Sequence, residues 1–116
     1  MILTGVDIIE IGRIKKTILT NKRFLEKVYT PTEIAYCNSK KNKWQHFAVR
    51  FAAKEAVWKA LGKKNIWHRD ISVKNTEDGK PEVILSKKYR NLEKKISLSL
   101  SHTEDYAVAV AVFNKK

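Results

Sequence analysis

The chain has one cysteine, Cys37, and only 12 acidic residues against 24 lysines and arginines in its 116 residues. A single cysteine excludes an internal disulfide and a cysteine zinc cluster. Cys37 reads as a small buried apolar residue, since nothing in the sequence sets a histidine beside it to make a nucleophile. No apolar run reaches membrane-spanning length, and the N-terminal apolar run is short and carries Asp7. There is no Gly-x-x-x-x-Gly-Lys-Ser/Thr, which excludes P-loop nucleotide chemistry. His46 and His68 are isolated and support no histidine metal site. Repeats, low-complexity tracts and linkers are absent. The expectation is one small domain over residues 1–116, cytoplasmic, with no membrane segment.

What is there is an ordinary apolar fraction, 43%, and a net charge of +12. The first argues for a folded core. The second will attract a polyanion: nucleic acid, an anionic surface, a phosphorylated cofactor or an acidic protein. Charge alone does not choose among them.

Met1–Ile9 reads as a buried strand, with Ile2, Thr4, Val6 and Ile8 on one face and Leu3, Gly5, Asp7 and Ile9 on the other. Ile11, Ile14 and Ile18 then recur at helical spacing, and Phe24, Leu25 and Val28 resume the pattern after Asn21. Thr30-Pro31-Thr32-Glu33 predicts a helix start with a capping box. Asn42 and Gln45 open a long helix that runs to Gly62, a natural C-cap. Ile71–Val73 and Glu82–Leu85 read as strands around an Asp78-Gly79-Lys80-Pro81 turn, and Ser86–Glu93 as a short helix. Ile96–Ser101 and Tyr106–Phe113 read as strands joined through His102–Asp105. The predicted class is α+β: a helical first half, with a long central helix, packed on a mostly antiparallel sheet.

Two acids stand out. Asp7 lies in an apolar strand, where an ionised carboxylate costs several kcal/mol unless it is paired or metal-bound. Glu55 lies in the long helix with Phe51 and Lys59, opposite Val49, Ala53, Ala56 and Ala60. The plain reading of Glu55 and Lys59 is an i,i+4 ion pair worth about 0.3–0.5 kcal/mol. The functional reading is that close packing of the small residues holds both stiffly near other elements. Two carboxylates on separate rigid elements suit Mg²⁺, which takes one or two protein carboxylates plus substrate phosphate oxygens. Ser101 and His102 at a strand end either cap a turn or contact a phosphate. Arg13, Lys16, Arg23 and Lys27, with Phe24 among them, are either a solvated basic face or a docking surface for an acidic helix.

On these residues the chain resembles the bacterial holo-[acyl-carrier-protein] synthases, the small members of the 4′-phosphopantetheinyl transferase superfamily. The likeness runs through five ordered blocks: Gly5-Val6-Asp7 to Ile14, Phe24 to Glu33, Arg50-Phe51-Ala52-Ala53-Lys54-Glu55-Ala56-Val57-Trp58-Lys59-Ala60-Leu61-Gly62, Asp78–Pro81, and Ser99–Thr103. It departs where Trp58 replaces a usually small residue, where Lys27 replaces a frequent Arg, and where Lys63-Lys64-Asn65-Ile66 replaces a Thr-Gly-type loop.

The resemblance implies Mg²⁺-dependent transfer of 4′-phosphopantetheine from coenzyme A to a serine of apo acyl carrier protein. Adenosine 3′,5′-bisphosphate would be the other product and fatty acid biosynthesis the setting. It implies Asp7 and Glu55 as metal ligands, Lys59 on the departing phosphate, and Glu55, directly or through a bound water, as the route for the serine proton. Arg50, Lys54, Gly79, Pro81, Ser101 and His102 would line the nucleotide end. Arg13, Lys16, Arg23, Phe24 and Lys27 would dock the carrier, and the site would lie between subunits of a homotrimer. The rival reading is a basic nucleic-acid-binding module without catalysis. It rests on charge alone, because Trp44, Trp58 and Trp67 do not interleave with basic residues as a stacking platform would.

Overall fold

The strand–helix–strand plan follows from where small residues alternate with large ones. The computed structural model describes residues 1–62 and 65–116; Lys63 and Lys64, part of the departure from the family loop, lie outside the described residues. In chain order the elements are β1 (Ile2–Glu10), α1 (Ile11–Thr20), α2 (Lys22–Val28), α3 (Pro31–Asn38), α4 (Lys43–Ala60), β2 (Ile71–Asn75), β3 (Pro81–Leu85), β4 (Ile96–His102) and β5 (Tyr106–Asn114), with 3₁₀ segments at His68–Asp70 and Lys87–Lys95. The α+β class and the long central helix are as expected. Among the described residues every strand pairing is antiparallel: a three-stranded sheet in the order β1-β5-β4, and a separate β2-β3 hairpin.

The register sets Gly5 opposite Ala111 and Asp7 opposite Ala109. Ala107, Ala109, Ala111 and Phe113 are buried on the face of β5 that meets α4, whose Ala52, Ala53, Ala56 and Ala60 are buried in turn. Small side chains on both surfaces let helix and sheet approach closely. Gly5 marks a close approach: a Cβ there would fall 2.0 Å from the Ala56 carbonyl oxygen and 2.7 Å from the Ala60 nitrogen. A second core cluster, around Tyr29, Cys37 and Phe47, joins α1–α3 to the first half of α4. Cys37 is fully buried, and burial pushes its thiol up to about 11.

β1 corrects one expectation. It is not buried on both faces: Leu3, Gly5, Asp7 and Ile9 face inward, whereas Ile2, Val6 and Ile8 are exposed. Among the described residues, only one side of this sheet is covered by a helix of the same chain. Val110 on β5 extends the same open apolar face.

Helix ends follow their local chemistry. Thr30 and Glu33 close the reciprocal capping box, with Glu33 N–H donating to Thr30 Oγ1 (3.2 Å) and Thr30 N–H to Glu33 Oε1 (3.0 Å). Asn42 opens α4 with its side chain bonded to Gln45 rather than to the helix backbone. Gly62, just past the α4 C-cap residue Leu61, has φ +81°, and Gly79 in the β2-β3 turn has φ +85°, conformations that favour glycine.

Candidate active site

Asp7 sits two residues beyond Gly5 on the inward face of β1, so the close helix–strand approach carries it to the last turns of α4. There Lys59 Nζ donates to Asp7 Oδ1 at 3.3 Å and to the Val6 carbonyl at 3.0 Å. Lys59 therefore engages the strand, where the plain expectation was an ion pair with Glu55. Burial raises the Asp7 pKa above its ordinary value. Lys59 pulls it down, and the nearby Glu55 carboxylate adds to the rise. The other oxygen, Asp7 Oδ2, is buried with no hydrogen-bond partner. A buried carboxylate oxygen with no donor is a costly arrangement that a cation would relieve. Asp7, Glu55, Arg13, Phe24 and Phe51 line a cavity of about 410 Å³ beside it.

Glu55 Oε2 lies 2.6 Å from His68 Nε2. The ring of His68 stacks on Phe51 at 5.7 Å and an interplanar angle of 6°. His68 was expected to be isolated. Thirteen residues separate it from Glu55, and only the return of the chain after α4 brings them together. No spacing rule could have found the pair. No group of three or more His, Cys, Asp or Glu is placed to hold a metal ion by itself among the described residues. Two carboxylates with the rest of the coordination left to water and substrate phosphate is the donor set that Mg²⁺ uses, so Asp7 and Glu55 fit that ion.

The residues expected at a nucleotide end fall in separate places. The Arg50 guanidinium stacks over Tyr36 (4.5 Å) and donates to Asn75 Oδ1 at 3.0 Å. Asn75 Nδ2 in turn donates to the Gly79 carbonyl at 3.0 Å. Asn75 is thus the unpredicted link between Arg50 and the Gly79 turn, and Pro81 begins β3 directly across from it. Arg50 Nε is buried without a partner. Ser101 and His102 end β4, exposed, with the Gln45 amide nitrogen 2.7 Å from His102 Nε2. Gln45 and Glu55 are both on α4, ten residues and roughly 15 Å apart along its axis, so His102 lies well away from the carboxylates on the same chain.

Lys54 requires a correction. It is 0% exposed, and its ammonium donates to Glu33 Oε1 (2.7 Å), to the His68 carbonyl (3.1 Å) and to the Ile71 carbonyl. Glu33 is itself buried and also accepts from the Val73 N–H (3.0 Å). Burial lowers the Lys54 pKa, and Glu33 opposes the shift. With its donors used inside, Lys54 ties α3, α4 and β2 together rather than lining a cofactor surface.

Arg13, Lys16, Arg23 and Lys27 are exposed along α1 and α2. Phe24 is half-buried against Phe51, ring centroids 5.8 Å apart. Arg23 and Lys27 also border a recess of about 740 Å³ that Trp67 and Arg69 line as well. The basic face therefore adjoins the carboxylate cavity through Phe24.

Residues 4–111 match the 4′-phosphopantetheinyl transferase superfamily. A holo-[acyl-carrier-protein] synthase of Caldanaerobacter subterraneus is 42% identical over 96% of this chain and 93% of its own length. Among solved structures, a holo-(acyl-carrier-protein) synthase from Bacillus anthracis in complex with CoA (3′,5′-ADP) superposes with a TM-score of 0.80 at 36% identity, covering 96% of this chain and 94% of that one. The Helicobacter pylori holo-[acyl-carrier-protein] synthase in complex with coenzyme A gives 0.83 at 33% identity, covering 97% of this chain and 100% of that one.

Proposed function

The chain belongs to the 4′-phosphopantetheinyl transferase superfamily, and we propose that it transfers 4′-phosphopantetheine from coenzyme A to a serine of apo acyl carrier protein. The observation that carries this reading is the buried, unpartnered Asp7 Oδ2 beside Glu55, at a cavity bordered by Arg13 and Phe24 of the basic face. In the reaction the serine oxygen forms a bond to the phosphorus that bears the pantetheine arm. The phosphoanhydride bond breaks, and adenosine 3′,5′-bisphosphate leaves with the electron pair.

Asp7 and Glu55 are the residues that would hold Mg²⁺, which supplies positive charge against the coenzyme A pyrophosphate. Lys59, held on β1 by Asp7 and the Val6 carbonyl, stabilises charge on the departing phosphate. Glu55, directly or through a bound water, takes up the serine proton. Arg50, Gly79, Pro81, Ser101 and His102 contact the nucleotide end, and Lys54 supports them from within the core. Arg13, Lys16, Arg23, Phe24 and Lys27 receive the acidic carrier.

The separation of His102 from Glu55 along α4, together with the open face of Ile2, Val6, Ile8 and Val110, supports a homotrimer in which neighbouring subunits complete each site. The setting is cytoplasmic fatty acid biosynthesis. Nothing specific supports the nucleic-acid reading: the family is one of transferases, and the charge is accounted for by an acidic protein partner and a polyphosphorylated substrate.

The test is the intact mass of apo acyl carrier protein after incubation with the enzyme, coenzyme A and Mg²⁺, with and without a chelator. The expected result is a gain of one phosphopantetheine, lost on chelation and lost in Glu55→Gln. No gain on several apo carriers by a folded sample, or unchanged turnover in Glu55→Gln, would overturn the proposal.

A further inference from the structure

We infer that His68 is a positioning residue for Glu55, fixing the orientation of its carboxylate by a hydrogen bond from a ring that is itself clamped on Phe51. The inference rests on the transferase reading above, in which Glu55 acts at the reaction centre.

Three contacts hold His68. Its backbone carbonyl accepts from the buried Lys54 ammonium at 3.1 Å. Its ring lies parallel to Phe51, centroids 5.7 Å apart. Its Nε2 meets Glu55 Oε2 at 2.6 Å. An ionised carboxylate only accepts, so Nε2 carries the hydrogen and donates. At this length the bond is a short one to a charged acceptor, the stronger class of hydrogen bond.

Glu55 carries a long side chain with several rotatable bonds, and its Oε2 is the atom that meets the His68 ring. A donor fixed on both its backbone and its ring selects one carboxylate orientation before substrate arrives. This is how outer partners of a ligating carboxylate set its geometry. Positioning of this kind is the part of catalysis in which small displacements are expensive.

The clamp also reaches the carrier-docking face. Phe51 packs on Phe24 at 5.8 Å, and Phe24 lies between Arg23 and Lys27 on α2. One run of rings, Phe24 to Phe51 to His68, therefore joins the surface proposed to receive the carrier to the carboxylate proposed to act on its serine. Lys54 belongs to the same construction, since its core anchor sets the height of His68. The notion that Lys54 touches cofactor is replaced by a role one step further back.

The experiment compares His68→Phe with His68→Gln. Phe keeps an aromatic ring on Phe51 and removes the donor. Gln places its amide nitrogen near the position of Nε2 and restores the donor without the ring. Circular dichroism and thermal melting check folding. If His68→Phe melts early, His68→Asn, whose amide reaches only as far as Nδ1, makes the same comparison.

The expected result is a kcat on apo carrier lower by about 10–100-fold in His68→Phe, the range for loss of such a partner. The KM for carrier and for coenzyme A should stay within about twofold, and most of kcat should return in His68→Gln. Binding of Mg²⁺ alone, followed by calorimetry, should weaken in His68→Phe and recover in His68→Gln.

Three results would count against the inference. Wild type that transfers while His68→Phe matches it overturns the positioning role and leaves the transferase reading intact. Equal losses in folded Phe and Gln variants also overturn it, because then the donor is not what matters. Wild type that transfers nothing overturns the transferase reading, and the inference falls with it.

Discussion

Gly5 of β1 lies so close to Ala56 of α4 that a methyl group on it would sit 2.0 Å from the Ala56 carbonyl oxygen. That contact sets the distance between strand and helix, and with it the reach of Asp7 toward Lys59 and Glu55. The Gly-x-Asp spacing in β1 is therefore one device: the glycine admits the helix, and the acid two residues on meets it on the same face.

Replacing Gly5 with alanine should destabilise the fold by about 3 kcal/mol, at the upper end of the overpacking range. The atoms it would meet are backbone and cannot rotate away. Activity should fall further than stability explains, because α4 must shift relative to Asp7. Denaturant unfolding and transfer assays on the same sample check both.

Asp7 is predicted to cost stability in return for function. Its pKa is raised in the folded protein, chiefly by burial. The folded state therefore holds a proton that the unfolded state releases, and this group's contribution to stability falls as pH rises from the unfolded pKa through the folded one. Without metal, Asp7→Asn should be at least as stable as wild type at pH 7. Its advantage should shrink below about pH 4, where the unfolded carboxyl also holds its proton. Lys59 is half-exposed and loses little by it. The variant should lose transfer activity and any stabilisation by Mg²⁺. Melting curves across pH, with and without the ion, decide it.

Lys54 and Glu33 form a buried pair at 2.7 Å, with side-chain exposures of 0% and 2%. Lys54→Met keeps the volume but strands the Glu33 carboxylate, and should cost about 3–5 kcal/mol. Adding Glu33→Gln should recover much of that loss. Chemical denaturation of the single and double variants measures the coupling.

Charge reversal at Arg13 and Arg23, both exposed, should raise the KM for apo carrier several-fold and leave that for coenzyme A unchanged. The wild-type rate on carrier should fall with added salt more steeply than that of the reversed variant. Equal effects on both substrates would remove these residues from the docking face.

Val6 is 57% exposed on the open side of β1. Val6→Asp should leave the monomer's core intact, since Val6 lies on the exposed face of β1. It should shift a trimer toward monomer by light scattering and reduce transfer in parallel. A wild type that is monomeric at working concentration, yet active, would remove the need for neighbouring subunits.

Much of the architecture was legible in local chemistry. Thr30 and Glu33 form a capping box within four residues, Gly62 and Gly79 adopt left-handed backbone that few other residues accept, and the alternation in β5 put valines and alanines on opposite faces. Periodicity and caps are short-range, so the sequence carries them whatever packs nearby. The candidacy of Asp7, Glu55 and Lys59 was also legible, because charge in an apolar or small-residue setting is conspicuous.

The tertiary structure alone decided the partners. It gave Lys59 to Asp7, Glu55 to His68, and Lys54 to Glu33, although sequence spacing favoured a Glu55–Lys59 pair and the family resemblance implied a cofactor-lining Lys54. It also decided that β1 is covered on one side only. Which ion pair forms depends on which side chains share a low-dielectric space once helix and sheet have closed. That is set by the volumes of Gly5, Ala56 and their neighbours, not by the separation of charges along the chain.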